Sequence, residues 1–290
     1  ERADARADRR LADMQALRHF LLALQFFTRI PVTGAVARWV GFSPDMQRAS
    51  LGHFPGVGLQ VGSAAAGVFA LSANLLGSGT TSLLVAAVLC TGATAWLTGA
   101  LHEDGLADVA DGLAGGHSPA QALAIMKDSR IGAAGAVALL LVLQAKVALL
   151  ALLGGHSVAT AAVALLGAHG LSRVGPVLLM HLLPYVSASD TAKSQGIAGA
   201  SRRHTLWTAL VWAALPALGV AWYGGLVFLA LACLAAAGAW LVLWRLFARR
   251  LQGYTGDCLG ATQQVCEIAF YLGAAIAAAH GYLSPMGTLP

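Results

Sequence analysis

The sequence predicts an all-α polytopic membrane helical bundle, and three observations carry that expectation. Hydrophobic residues make up 58% of the 290-residue chain and charged residues only 11%, against about 25% charged in a soluble domain. Apolar runs long enough to cross a bilayer, which takes about 20 helical residues, recur from Leu51 onward. The remaining charges are gathered into a few segments between those runs. The formal charge of +5 does not indicate nucleic acid, because the basic residues are not interleaved with aromatics in a patch; they mark membrane-flanking loops. The 4 cysteines include no Cys-x-x-Cys pair, so neither zinc nor a disulfide framework is suggested.

Taken in order, residues 1–13 read as a polar N-terminal tail and 14–290 as a single integral membrane domain. From Met14 to Ile30 the apolar run is too short and interrupted to span. Leu17, Phe20, Leu21, Leu24 and Phe27 fall on one side and Arg18, Gln25 and Arg29 on another. This predicts an N-terminal amphipathic interfacial helix ended by Pro31. Residues 31–50 read as a loop. About seven transmembrane helices follow, near 53–76, 82–101, 131–153, 158–183, 205–223, 225–244 and 266–283. Gly167, Gly170, Gly175 and Pro176 predict a kink or close packing in the fourth.

The charges test this layout. The loops at 77–81, 154–157 and around 224, and the tail after 283, hold no Lys, Arg, Asp or Glu. Every basic residue except Lys146 and Arg173 falls in 1–52, 102–130, 184–204 or 245–265. With seven spans these four segments share one side, which the positive-inside rule assigns to the cytoplasm.

The central stretch is His102 to Arg130. Asp104, Asp108 and Asp111 are spaced i, i+4, i+7, which on a helix aligns three carboxylates along one stripe. Like charges at that spacing repel, so a positive partner is expected in front of them. Hard oxygen donors with no nearby Cys favour Mg²⁺ or Mn²⁺ over zinc; a solvated acidic turn is the plainer alternative. Lys127 and Arg130, one helical turn apart, close the same segment around Asp128. Lys146 and Arg173 lie inside spans, where a charge is expensive and is either functional or ion-paired. Thr255, Asp257 and Glu267 fall at the mouth of the last span, as site residues or as a helix N-cap. His102 stands at the mouth of another. Metal-bound carboxylates beside Lys and Arg at a membrane surface suit reactions on phosphates.

Four blocks resemble one family. They are Leu24-Gln25-Phe26-Phe27-Thr28-Arg29-Ile30-Pro31-Val32, then His53-Phe54-Pro55-Gly56-Val57-Gly58. After them come His102-Glu103-Asp104-Gly105-Leu106-Ala107-Asp108 with Asp111-Gly112 and Met126-Lys127-Asp128-Ser129-Arg130-Ile131-Gly132, and finally Thr255-Gly256-Asp257-Cys258-Leu259-Gly260-Ala261. In this order they are similar to the cobalamin synthases, or adenosylcobinamide-GDP ribazoletransferases. Gln264 departs from the pattern, standing where many members carry Glu. The resemblance implies the last assembly step of vitamin B12 synthesis in a bacterial cytoplasmic (inner) membrane. A hydroxyl of α-ribazole, or of its 5′-phosphate, attacks adenosylcobinamide-GDP with Mg²⁺, and GMP leaves. On that reading Asp104, Asp108 and Asp111 hold metal. Asp128 and Asp257 complete its shell or orient the hydroxyl, while Lys127 and Arg130 bind phosphate oxygens. Arg173, Lys146, His102, Thr255 and Glu267 are expected in substrate binding. The lipid bilayer is the expected surroundings, and a homo-oligomer or association with other B12-assembly enzymes is left open. Two alternatives remain: another membrane transferase of metal-bound diphosphates, of the CDP-alcohol phosphotransferase or prenyltransferase kind, and a transporter.

Overall fold

The computed structural model describes residues 2–116, 118–186 and 203–283, with side chains from residue 14 onward. The helices are α1 (Arg2–Phe27), α2 (Gly34–Val40), α3 (Pro44–Ser50), α4 (Phe54–Leu76), α5 (Thr80–Thr98), α6 (Leu101–Leu113), α7 (Pro119–Ile125), α8 (Ala133–His156), α9 (Val158–Leu171), α10 (Val174–Leu182), α11 (Arg203–Arg250) and α12 (Gly256–Ala279). Among the described residues there is no strand, only an isolated bridge between Tyr185 and Tyr254. The fold is an all-α membrane bundle.

Each predicted span is helical. Five stretches are long and apolar enough to cross a membrane: Pro44–Leu76, Thr80–Thr98, Ala133–His156, Val158–Leu182 and Arg203–Arg250. The last is two limbs, because Gly225 leaves the helix at φ 84, ψ 168, a region only glycine enters cheaply. Limbs 203–224 and 226–250 stand where the fifth and sixth spans are predicted. Both outer ends meet the same end of the bundle: Thr205 abuts Gly52, and Arg250 donates to the Gly115 carbonyl. The predicted break in the fourth span falls between α9 and α10, at Ser172 and Arg173.

The burial pattern differs from that of a soluble protein in two respects, buried charges and an exposed apolar surface. Lys146, Arg173 and Glu267 are 1%, 1% and 0% exposed, whereas Leu75, Val211 and Trp222 are 75%, 70% and 68% exposed. An apolar exterior around an apolar core that also encloses a few charged groups suits a hydrocarbon solvent. Without a hydrophobic force between helices, close approach holds such a bundle together. At the α4–α9 crossing, a Cβ on Gly62 would lie 3.0 Å from the Leu165 carbonyl oxygen.

Two expectations need correction. Residues 31–50 contain α2 and α3 rather than a plain loop: Ser43 caps α3 by accepting from the Met46 amide, and Arg18 of α1 donates to the Val40 carbonyl at 3.0 Å. Both helices are 7 residues long, too short to display a period. The first helix ends at Phe27, before Pro31, and it buries Leu22 and Ala23, which lie off the predicted stripe, while Leu17 is exposed. Its C-terminal half packs into protein, with Phe27 stacked on Phe54 at 4.1 Å and Phe20 on Trp212 at 5.3 Å. The helix begins at Arg2, so its backbone runs on through most of the polar N-terminal tract.

Candidate functional site

The site is built where α5 hands over to α6. Gly99 and Ala100 are both left-handed, with φ 67 and 57, and the Ala100 amide donates back to the Ala95 carbonyl at 2.7 Å. This tight reversal starts α6 at Leu101, so the motif is helical and its i, i+4, i+7 carboxylates do lie along one side. Asp104 is exposed and Asp108 and Asp111 are half-buried, while His102, Glu103, Leu106 and Val109 point into the protein. One helix thus shows acid outward and a mixed polar and apolar face inward.

α12 fixes this helix from beneath. A Cβ on Gly105 would come 2.7 Å from the Asp257 carbonyl oxygen, and one on Gly260 would come 3.2 Å from His102 Cα. The two backbones therefore cross in contact, which carries Asp257 to the outward carboxylates. Thr255 caps α12, its hydroxyl accepting from the Cys258 amide at 3.3 Å and donating to Asp257 Oδ2 at 3.3 Å. Lys127 lies within electrostatic reach of Asp257. The charged segments converge here: the backbone of Tyr254 pairs with Pro184 and Val186, Arg250 reaches Gly115, and the Arg29 amide donates to Leu97 at the end of α5. Most of segment 184–204 lies outside the described residues.

The predicted site residues separate into three groups. Asp104, Asp108, Asp257 and Lys127 share the outer rim. Asp111 is turned aside, its Oδ2 accepting from the Gly132 amide at 2.7 Å and its Oδ1 from the Gly135 amide at 2.8 Å. It thereby caps the N-terminus of α8, whose first-turn amides would otherwise be unpaired. Arg130 is also turned aside, held by Asp128 through Nη2 to Oδ2 at 2.5 Å. The chain there is turn and bend, so Lys127 and Arg130 are not one helical turn apart. The Arg130 pair holds the exposed Asp128 carboxyl down to about 2.

The third group is buried well below the rim. Glu267 is not at the mouth of its helix, because α12 begins at Gly256, which sets it about 15 Å along the axis from Asp257. Lys146 Nζ meets Glu267 Oε1 at 2.6 Å; Tyr271 and Gln263 also donate to that carboxylate, at 3.1 and 2.5 Å. Arg173 donates to the His169 carbonyl at 2.6 Å and lies 5.1 Å over the Phe54 ring. Phe54 in turn stacks on His102 at 5.6 Å. Sequence reasoning missed His169, Gln263 and Tyr271. The i, i+4 repeats Gln263–Glu267–Tyr271 and His169–Arg173 were the available signal.

Chemically, the rim is a cluster of like charges. Burial, and then neighbouring Asp257, Asp104 and Asp111, raise the Asp108 carboxyl to about 7. Carboxylates that hinder one another's ionisation in this way accept a cation among them, and an all-oxygen donor set suits Mg²⁺. Among the described residues no three His, Cys, Asp or Glu side chains yet converge at chelating distance. The rim therefore fits a divalent ion by charge and donor type, with side-chain rotation needed to close on it.

Residues 19–275 match the family model for cobalamin-5-phosphate synthase. The chain belongs to the cobalamin-5-phosphate synthase family. It is similar to the adenosylcobinamide-GDP ribazoletransferase of Albidiferax ferrireducens, 51% identical over 90% of this chain and 99% of that protein. It is likewise similar to the ribazoletransferase of Azorhizobium caulinodans, 41% identical over 93% and 98%, and to that of a Shewanella species, 38% over 87% and 92%. No solved structure matches. The family match encloses the rim residues of α6, Lys127 and the capped start of α12, and the buried Lys146–Glu267 pair as well.

Proposed function

We propose that this member of the cobalamin-5-phosphate synthase family joins α-ribazole, or its 5′-phosphate, to adenosylcobinamide-GDP, releasing GMP and forming adenosylcobalamin or its 5′-phosphate. The observation that carries the reading is the rim itself: Asp104, Asp108 and Asp257 from two crossing helices, with Lys127 beside them, inside the family-matched segment. The covered length of the relatives named above supports it.

Asp104, Asp108 and Asp257 would hold Mg²⁺. Bound there, the ion would neutralise diphosphate oxygens and the charge developing on the departing GMP. Lys127 binds the remaining phosphate oxygens as a point charge. Asp128, kept ionised by Arg130, orients the attacking hydroxyl. That hydroxyl forms a bond to the phosphorus joined to cobinamide; the bond from this phosphorus to the GMP oxygen breaks, and the hydroxyl proton is lost. Asp111 serves by fixing α8 against α6. The enzyme works as a multi-pass protein of the inner membrane with the rim toward the cytoplasm, which the segregation of basic residues supports.

Purified protein incubated with adenosylcobinamide-GDP, α-ribazole and Mg²⁺ tests this. The expected outcome is a cobalamin product by mass spectrometry and GMP by chromatography. Pyrophosphate release, or unchanged nucleotide with folded protein, overturns the assignment.

A further inference from the structure

Glu103 stands among the aspartates in sequence but faces the other way. It is 8% exposed, and its Oε1 accepts from Gln264 Nε2 at 3.0 Å across the α6–α12 crossing. Gln264 is 2% exposed. This side-chain hydrogen bond joins the two helices beside the backbone contacts at Gly105 and Gly260. Those backbone contacts are nearly without direction: they let the helices approach but do not fix how far one slides along the other. A buried amide–carboxylate bond does fix it, because its partners have no water to turn to.

The remainder of the site points to the same conclusion. Glu103 Oε2 and Arg173 Nε are both buried without a hydrogen-bond partner, and Arg173 lies within electrostatic reach of Glu103. Glu103 is thus, after Glu267, an anionic neighbour of a buried guanidinium as well as the acceptor for α12. A slip of α6 along α12 would break the Gln264 bond and draw Glu103 away from Arg173. The same slip would change the spacing of Asp104 and Asp108, on α6, from Asp257, on α12.

We propose that Glu103 and Gln264 are a positioning pair that sets the register of α6 on α12 and so the spacing of the three rim carboxylates for a divalent cation. The inference rests on the reading of the rim as a metal site. It assigns Gln264 a role in which an amide is required, since two carboxylates at 3.0 Å would repel unless one took a proton.

Direct binding of Mn²⁺, followed by electron paramagnetic resonance on purified protein without substrate, tests it apart from turnover. Gln264→Leu keeps the bulk and removes the donor; it should weaken Mn²⁺ binding about tenfold, as the loss of a residue supporting metal ligands does. The swapped double variant, Glu103→Gln with Gln264→Glu, rebuilds one amide–carboxylate bond and should bind within about threefold of the parent. Should Gln264→Leu not fold, Gln264→Glu against the double variant gives the same contrast. Parental Mn²⁺ affinity in the single variant, whatever its melting temperature, overturns the proposal, and so does a double variant that recovers nothing. A parent chain that binds no Mn²⁺ removes the metal reading itself, and the pair's role with it.

Discussion

The rim and the interior of this bundle use the same residue types in opposite ways. At the rim, Asp104, Asp108 and Asp257 crowd one another and Asp108 is pushed up to about 7. In the interior, Glu267 is surrounded by Lys146, Tyr271 and Gln263, with His169 Nε2 at 3.5 Å. The first arrangement sets three carboxylates against Lys127; the second answers its own charges. Charge imbalance, more than burial, separates a binding site from a structural one here. Lys146 and Glu267, expected at the substrate, are paired with each other in the interior.

Breaking the interior pair should give the largest effect on folding. Lys146→Met leaves a carboxylate buried without its cation, at a cost of about 3–5 kcal/mol, whereas replacing both partners by apolar or neutral groups costs far less. Lys146→Met should accumulate poorly and melt early in detergent, and Lys146→Met with Glu267→Gln should recover much of the loss. If the single variant melts like the parent and instead loses turnover, Lys146 acts in the reaction and the contrast fails.

The rim should respond in the reverse manner. Asp108→Asn removes one of several repelling charges, so its melting temperature should hold or rise, while turnover falls about 100-fold or more through loss of a ligand to a hard cation. Asp111→Ala sharpens the distinction within the motif. It should cost about 1–2 kcal/mol, as lost caps do, with a smaller fall in turnover than Asp108→Asn. A larger fall at Asp111 than at Asp108 would place the ion nearer α8.

Much of this was legible in the sequence, and for identifiable reasons. Apolar runs are set by the bilayer, so hydropathy marked the five long apolar stretches, and Gly and Pro marked the break before Arg173. The stripe of α6 followed from helical periodicity. What could not be read was long-range. No local pattern says that Asp111 caps a helix reached only after α7, or that Glu103 finds Gln264. Glu267 was placed at the helix mouth because Asp257, Gln263 and Gln264 interrupt the apolar run, although α12 begins before them. Polar residues facing the interior of a bundle shorten its apparent spans.

The joint between the two regions offers the smallest effect and the most direct test of geometry. Ala100 is left-handed at φ 57, which costs a residue bearing a Cβ about 1–2 kcal/mol. Ala100→Gly removes that strain, and the greater freedom of glycine in the unfolded chain takes back about 0.4–1 kcal/mol. The variant should therefore be more stable by up to about 1.6 kcal/mol. Its neighbour should behave oppositely: Gly99→Ala adds a Cβ at φ 67 and brings it 3.2 Å from Arg29 Nε, so it should destabilise. Turnover tells what the strain is for. If Ala100→Gly melts higher and turns over as the parent does, the strain is a consequence of the tight reversal. If it melts higher but turns over more slowly, the stiff joint holds α6 in place for the rim. Destabilisation by Ala100→Gly would show that the reversal is not left-handed at this residue.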